Sequence, residues 1–272
     1  MIIPLYIVLA IFLIIHIKHK MIIPVLLVVW LCAFSVMEHF AVNSPTYRFE
    51  YMREDKNEYI CISSSGKNTL VDISDGSSGD LYEASKRATL LGYREIETVL
   101  LTHIHKRHIN SLCKIASETM VRNVILPKPI KESEHSIYES IKYEMELLGV
   151  NVSEYSNGEK IGLLNGFEVS AKRIYKSRST HPAIFIEFSG NLDAVYIGSS
   201  YLEYDDEMIN GDKVFIGSHG PKCKNEFIIY PKNGAFVSIA TKELTELLKI
   251  SGKGDFKIIN SVESVIFCGE NK

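Results

Sequence analysis

The hydrophobic and polar positions of the chain follow a strand-like period in many short stretches and a helix-like period in a few longer ones. Apolar residues at intervals of three and four predict helices at Leu81–Leu91, Ser111–Met120, Lys131–Leu148 and Thr241–Ile250. Short runs rich in β-branched and aromatic residues predict strands at Tyr47–Met52, Glu58–Ile62, Thr69–Ile73, Glu97–Thr102, Val121–Leu126, Gly166–Ile174, Ala183–Phe188, Leu192–Ile197, Lys213–Ile216, Ala235–Ile239, Phe256–Ile259 and Val265–Phe267. The pattern therefore predicts an α/β chain in which strands dominate.

The first 40 residues differ from the rest because they contain two apolar runs, Met1–Ile17 and Met21–Met37, separated by Lys18-His19-Lys20. Each run has the minimum length that spans a hydrocarbon core of roughly 30 Å. A signal peptide is disfavoured because the first run lacks a basic start, and a soluble helix pair is disfavoured because neither run has a polar face. We predict a membrane hairpin of two transmembrane helices over 1–40 and a separate domain over 41–272.

Two features leave the arrangement of this hairpin open. The string MIIP occurs at 1–4 and again at 21–24, so the anchor is either duplicated or preceded by an alternative start at Met21. The two lysines between the runs favour a cytoplasmic turn and an extracytoplasmic domain, whereas the basic residues that follow the second run favour the opposite orientation. These basic residues are Arg48, Arg53 and Lys56.

Composition and charge exclude several classes of protein. A net charge of −3, from 30 basic and 33 acidic side chains, excludes a highly basic nucleic-acid binder but leaves room for a local basic groove. With 46% hydrophobic and 23% charged residues, the chain is not intrinsically disordered. Its five cysteines form no CxxC pair, which disfavours a cysteine zinc site.

The candidate chemistry lies in three histidines, His103, His105 and His108, which follow the predicted strand Glu97–Thr102. Histidine is the commonest neutral metal ligand. Two histidines at positions i and i+2 of a turn can reach one ion, and the third can reach a neighbouring ion. The alternative is a polar loop that is rich in histidine without binding metal.

The segment LTHIHKRHIN (101–110) resembles the HxHxDH motif of the metallo-β-lactamase fold. Three further strings are similar, in the same order, to the other landmarks of that fold: NTLVDISDG (68–76), AVYIGSS (194–200) and VFIGSHGP (214–221). The resemblance implies a four-layer αβ/βα metallo-β-lactamase-like sandwich that binds two zinc or manganese ions, here preceded by the two transmembrane helices.

VFIGSHGP and the apolar segment ahead of the domain are similar to one branch of this family, the C-terminal domain of ComEC-type competence proteins, which take up single-stranded DNA. This resemblance implies the cell membrane of a bacterium, an extracytoplasmic domain and single-stranded DNA as ligand. The large channel-forming region of that branch has no counterpart in this sequence, so we expect a separate channel-forming membrane subunit as partner.

The resemblance also implies a ligand set. One metal site would take His103, His105 and a later histidine, for which His181 is the candidate. The other would take His108 and His219. Asp72, at the end of the strand in NTLVDISDG, would either orient a metal-ligating histidine or cap the following turn.

Three positions depart from the family motif. Arg107 stands where the motif has aspartate, Ser199 replaces the bridging aspartate, and Ser218 replaces the first histidine of the last landmark. Arginine cannot ligate a cation, and two unit charges about 4 Å apart repel by roughly 4 kcal/mol at an effective dielectric near 20. We therefore predict at most one zinc or manganese ion, with none as the limiting case, and weak or no hydrolysis.

Basic residues flank two of the motif loops, and they are candidates for a groove that holds phosphates without cutting them: Lys106, Arg107, Lys222 and Lys224. The alternative is that these are solvated surface charges. Two other functions stay open at this point. One is a one-metal hydrolase, acting on DNA or a small ester, that uses His103, His105 and His181. The other is a relic without activity.

Overall fold

The computed structural model describes residues 28–37, 46–54, 57–64, 66–73, 86, 95–163, 166–175, 182–198, 212–217, 227–229, 236–239, 248–250, 256–258 and 262–270. The chain divides into two compact units, Met1–Ser44 and Pro45–Lys272. In the first unit residues 28–37 are helical. Of the helices in the described ranges, none is both long and apolar enough to span a membrane. Most of the predicted hairpin, and the predicted helix Leu81–Leu91 apart from Lys86, lie outside the described residues.

Seven strands of the second unit form a first sheet, in the order β16-β1-β2-β3-β4-β5-β6. Their bounds are β1 (Thr46–Glu54), β2 (Asn57–Ser64), β3 (Lys67–Asp72), β4 (Glu95–Leu101), β5 (Met120–Pro127), β6 (Asn151–Tyr155) and β16 (Val262–Glu270). Pairing is antiparallel from β16 to β3 and parallel from β3 to β6.

A second sheet of seven strands has the order β15-β13-β11-β10-β9-β8-β7. Its strands are β7 (Lys160–Gly162), β8 (Phe167–Ile174), β9 (Ala183–Gly190), β10 (Ala194–Gly198), β11 (Lys213–Gly217), β13 (Phe236–Ile239) and β15 (Phe256–Ile258). It too is half antiparallel, from β7 to β10, and half parallel, from β10 to β15. A separate parallel pair joins β12 (Phe227–Ile229) to β14 (Leu248–Ile250).

The two sheets pack face to face through an apolar core rich in aromatic residues. Phe49 of the first sheet contacts Phe188 of the second in a T-shaped arrangement with ring centroids 5.2 Å apart. Tyr51 lies 4.8 Å from Phe215, centroid to centroid. Aromatic pairs of this kind add to the free energy that burial alone supplies. This core explains why inward positions of strands from both sheets are apolar.

Two helices cover the outer face of the first sheet, namely α1 (Lys106–Glu118) and α2 (Glu132–Leu147). A second core lies between them and the sheet, and it includes Leu70, Val99, Leu112, Ile115, Ile141 and Met145. Successive strand residues point to opposite faces, and both faces are buried at the end of β4, where Val99–Leu101 is a continuous apolar run. Helix, sheet and sheet are three of the four predicted layers, and no helix on the second sheet is among the described residues.

Most strand predictions are confirmed within a few residues, and the exceptions have physical causes. Helix α1 begins at Lys106, not at Ser111, because the His105 side chain caps it by accepting a hydrogen bond from the backbone N–H of Arg107. The predicted helix Thr241–Ile250 is wrong at its end, since Leu248–Ile250 is a strand that pairs with β12. The edge strands β6 and β7 were not predicted, because most of their residues are exposed and the alternation of apolar and polar positions is lost.

One end of the sandwich gathers the carboxyl ends of the parallel strands, and we call it the mouth. Asp72 and Leu101 end β3 and β4 side by side. Two hydrogen bonds join the two sheets at the mouth. Tyr196 of β10 donates one to Glu58 of β2. Arg173 of β8 donates the other to the backbone carbonyl of Lys128, which follows β5. Ligands of α/β sheets bind at the carboxyl ends of parallel strands, so the mouth is the candidate ligand-binding site.

Candidate functional site

The ends of β3 and β4 are fixed to each other at the mouth. Thr102, which follows β4, donates a hydrogen bond from Oγ1 to the backbone carbonyl of Asp72 at 2.7 Å. Its backbone N–H reaches the same carbonyl at 3.4 Å. These contacts place the Asp72 carboxylate and the His103 imidazole at adjacent strand ends, 31 positions apart in the sequence but neighbours in the sheet.

Helix α1 supplies the third side chain. Its buried stripe consists of His108, Ser111, Leu112 and Ile115, the spacing of one helix face packed on the sheet. His108 is the first member of that stripe and lies in the first turn, where its backbone N–H donates to the His105 carbonyl at 3.0 Å. The helix start at Lys106 is therefore what turns the His108 side chain towards the strand ends.

Asp72, His103 and His108 form a buried polar cluster, with each residue about 1% exposed. Oδ2 of Asp72 lies 2.7 Å from Nδ1 of His108. Nε2 of His108 lies 3.4 Å from Nε2 of His103, and the two rings meet edge to face. Nδ1 of His103 lies 3.3 Å from Thr102 Oγ1. The carboxylate thus contacts one nitrogen of His108 and leaves the other turned towards His103.

The donor chemistry of this cluster fits part of a metal site. Two ligands of a tetrahedral zinc ion with bonds of about 2.0–2.1 Å are roughly 3.3–3.4 Å apart, which matches the separation of the two Nε2 atoms. A carboxylate behind a ligating histidine is the usual orienting arrangement. Within the described ranges, however, no group of three or more histidine, cysteine, aspartate or glutamate side chains is placed to hold a metal ion. The described residues therefore do not complete a metal site.

The other residues of the histidine motif lie towards the surface. The His105 ring is half-buried, with its centroid 6.2 Å from that of His108 and its Nδ1 accepting from the Arg107 backbone. The side chains of Lys106 and Arg107 are exposed in the first turn of α1. The Arg107 guanidinium is thus at the surface, unlike the buried imidazoles of His103 and His108.

Several predicted site residues fall outside the described ranges. They are His181, Ser199, Ser218, His219, Lys222 and Lys224. The strands that lead to two of these positions are described, since β10 ends at Gly198 and β11 ends at Gly217. The ligand set and the phosphate groove that include these residues remain predictions.

A buried carboxylate at the mouth, Glu58 of β2, was not predicted from the sequence. Its Oε2 accepts a hydrogen bond from the Tyr196 hydroxyl at 2.5 Å, and both residues are buried. Burial raises the pKa of the nearby Tyr51 phenol, and the charge of Glu58 raises that pKa further. A Cβ at Gly217 would overlap both Glu58 and Tyr196, so the end of β11 is packed directly on this pair. The feature of the sequence that could have indicated this residue is an acid at the start of the otherwise apolar stretch EYICI (58–62).

Arg173 and Tyr155, two further buried polar residues, were not predicted from the sequence either. The Tyr155 hydroxyl donates to the Leu101 carbonyl at 3.0 Å, which fixes β6 to the strand that carries His103. Burial raises the pKa of Tyr155, and the positive charge of the Arg173 guanidinium opposes that rise. The only signal in the sequence was a basic residue at the end of the strand FEVSAKRI.

No family model matches the chain. No curated protein sequence matches it either.

Similar solved structures belong to metallo-β-lactamase-fold proteins. A diphosphatase of the PhnP family aligns over 77% of this chain and 96% of its own, with 12% identity and a TM-score of 0.42. MEM-A1, a subclass B3 metallo-β-lactamase from a soil metagenome library, aligns over 65% and 78%, with 15% identity and a TM-score of 0.41. Zinc-bound PqqB from Methylobacterium extorquens aligns over 59% and 56%, with 13% identity and a TM-score of 0.39. The likeness concerns an α/β, sheet-rich fold and not an activity.

Proposed function

We propose that this domain binds a phosphate-bearing ligand at the mouth, holds at most one metal ion at its histidine cluster, and hydrolyses phosphodiesters weakly or not at all. The observation that carries the proposal is the position of His108 between Asp72 and His103. In a two-metal site of this family His103 and His108 would serve different ions. Nitrogens only 3.4 Å apart are suited to a shared ion instead.

The substitution at position 107 supports the same proposal. A second ion would need the carboxylate that the family motif supplies there, and this chain has a permanently charged arginine. Phosphodiester hydrolysis by metal ions depends on an activated hydroxide and on clamping of both oxygens of the displacement. A domain with one ion or none lacks that clamp, and binding is the function that its residues retain.

Single-stranded DNA is the ligand that we propose. Lys106 and Arg107 present two cations at the surface of the first turn of α1, the turn that also carries the buried His108. Contacts of this kind with phosphates supply affinity that falls steeply with salt. Because such contacts carry no sequence information, we expect the domain to bind DNA of any sequence.

The test is a binding titration of the full chain with fluorescent single-stranded DNA at several salt concentrations. Arg107→Ala should weaken binding and flatten the dependence of log K on log[salt] by about one unit. Arg122→Ala is the matched control, because Arg122 is an exposed arginine near the start of β5, whereas the mouth lies at the other end of that strand. Equal effects of the two substitutions, or no binding by the unmodified chain, would remove the proposal.

A one-metal hydrolase is a second candidate, favoured by the Nε2–Nε2 separation of His103 and His108. The sequence predicts the ligand set His103, His105 and His181, whereas the described geometry pairs His103 with His108. Hydrolysis of a chromogenic phosphodiester by the zinc-loaded chain tests this candidate. Turnover that scales with bound zinc and is lost in His103→Ala would favour a hydrolase over a binding domain.

We further propose that residues 1–40 attach the domain to a bacterial membrane beside a separate channel-forming subunit, as in ComEC-type competence. The side chains in 28–37 are exposed and all but Ser35 are apolar, and Trp30 stacks on Phe34 with centroids 5.7 Å apart. Vesicle flotation of the full chain tests attachment. We expect co-flotation with phospholipid vesicles and its loss in a Trp30→Asp, Phe34→Asp double variant.

A further inference from the structure

Thr102 lies between the two strand ends that carry the polar cluster of the mouth. The residue is fully buried, and its Oγ1 donates a hydrogen bond to the backbone carbonyl of Asp72 at 2.7 Å. The same Oγ1 lies 3.3 Å from Nδ1 of His103, the next residue. One hydroxyl group therefore contacts both the end of β3 and the ring of a proposed metal ligand.

The direction of each hydrogen bond of Thr102 follows from the atoms involved. A threonine hydroxyl has one proton to donate and two lone pairs with which it can accept. A backbone carbonyl oxygen can only accept, so the oxygens of Thr102 and Asp72, 2.7 Å apart, must have the hydroxyl proton between them. Because that proton is engaged, Thr102 can only accept a hydrogen bond from His103, and Nδ1 must be the donor.

The peptide group between Leu101 and Thr102 is held at both of its polar atoms. The Tyr155 hydroxyl donates to the Leu101 carbonyl at 3.0 Å, and the Thr102 N–H donates to the Asp72 carbonyl at 3.4 Å. A β-branched side chain such as that of threonine also has few rotamers at χ1. The Thr102 hydroxyl is thus kept within reach of both Asp72 and His103.

The hydrogen bond at Nδ1 decides the form in which the His103 ring is held. A neutral imidazole carries a proton on one ring nitrogen and a lone pair on the other. With the proton on Nδ1, the lone pair is on Nε2, the atom that lies 3.4 Å from Nε2 of His108. Metal ions bind neutral imidazole through its unprotonated nitrogen, so this tautomer presents His103 to an ion through Nε2.

We propose that Thr102 is a positioning residue, which holds the proton of His103 on Nδ1 and so keeps the Nε2 lone pair directed at His108. The inference deepens the proposed function, because a metal ion shared by His103 and His108 would bind to that lone pair. It rests on the proposed function for the ion alone, since the tautomer is a property of the chain without metal.

The experiment determines the tautomer of His103 in the metal-free, ¹⁵N-labelled full chain by long-range ¹H–¹⁵N correlation NMR. It is run at about pH 8, above the ordinary histidine pKa of about 6.5, and the His103 signals are identified by their loss in His103→Gln. We expect the proton on Nδ1 in the unmodified chain and in Thr102→Ser, which keeps the hydroxyl. Thr102→Val keeps the shape without the hydroxyl and should move a large share of the proton to Nε2.

A proton on Nε2 in the unmodified chain would overturn the inference, and this measurement decides even if Thr102→Val does not fold. A role confined to joining β3 to β4 predicts that Thr102→Val lowers the melting temperature and leaves the tautomer unchanged, which would also overturn it. Thr69→Val is the matched control. Thr69 is a fully buried threonine of β3 whose Oγ1 has no hydrogen-bond partner among the described residues, so the tautomer should not respond.

Zinc affinity distinguishes this inference from the proposed function. Measured by competition with a chromogenic chelator, it should be about 10–100-fold lower in Thr102→Val and unchanged in Thr102→Ser and Thr69→Val. A changed tautomer with unchanged zinc affinity would overturn the positioning role. A chain that binds no zinc but shows the expected tautomers would support the effect of Thr102 on His103 while rejecting His103 as a metal ligand.

Discussion

Oδ2 of Asp72 lies 2.7 Å from Nδ1 of His108, although the two residues belong to different elements, a strand end and a helix start. The contact exists because β3 and β4 end at the same edge and α1 begins directly after β4. It fixes the orientation of the His108 ring and leaves Nε2 directed at His103. The metal-binding role proposed for the histidine cluster depends on this orientation.

Asp72→Asn should lower zinc affinity by about 10–100-fold, the usual effect of losing a carboxylate that orients a ligating histidine. Zinc binding would be measured by competition with a chromogenic chelator. Glu97→Gln is the control, because Glu97 is a mostly buried carboxylate that pairs with Lys67 and not with the histidines. Equal zinc affinity in Asp72→Asn and the unmodified chain would show that the contact does not serve a metal.

Gly217→Ala should destabilise the domain by about 2–3 kcal/mol. The added methyl group would overlap the buried side chains of Glu58 and Tyr196. Gly162→Ala is the matched control, since a Cβ there meets no atom within 4 Å. Chemical denaturation of both variants measures the difference. Similar free energies of unfolding would mean that the end of β11 is not packed on the carboxylate as described.

Tyr196→Phe should cost about 1–3 kcal/mol, because it removes a hydrogen bond from the buried Glu58 carboxylate without removing the carboxylate. The double variant Tyr196→Phe, Glu58→Met should lose less than the sum of the two single variants, since it removes both polar partners. Additive losses in equilibrium unfolding would argue that Glu58 and Tyr196 do not interact.

Alkaline pH should destabilise the domain through Tyr138. Burial and a hydrogen bond to Glu154 raise the pKa of this phenol to about 12, above its ordinary value of 10.0. The folded state thus holds the proton more tightly, so this contribution is fully present below pH 10 and is lost as the pH rises towards 12. Tyr138→Phe should flatten the fall in unfolding free energy between pH 10 and 12, and an unchanged slope would contradict the assignment.

Much of the fold could be predicted because burial imposes period and composition on the chain. β4 is buried on both faces, and its run of apolar residues made it evident from the sequence. The start of α1 was misplaced by five residues, because Lys106–Asn110 is polar except for Ile109 and its helical conformation is stabilised by the His105 cap. The strand Leu248–Ile250 was misread as the end of a helix, since a three-residue strand depends on pairing with β12 that no local pattern records.

The candidate site was partly predictable because three of its residues are close in sequence. The spacing of His103, His105 and His108 alone indicated a cluster. The resemblance to a family predicted Asp72 near these histidines. The structure shows Asp72 in contact with His108, and this contact alone does not assign Asp72 a role in metal binding. Glu58 and Arg173 act through partners more than 40 residues away, such as Tyr196 and Lys128, and only the packing of the two sheets brings them together.

Metal stoichiometry measured together with nuclease activity tests the central claim most directly. The full chain would be purified, loaded with zinc or manganese, freed of excess ion, and analysed by inductively coupled plasma mass spectrometry and by cleavage of single-stranded DNA. We expect at most one ion per chain and little or no cleavage. Two ions per chain with metal-dependent cleavage of DNA would contradict the account.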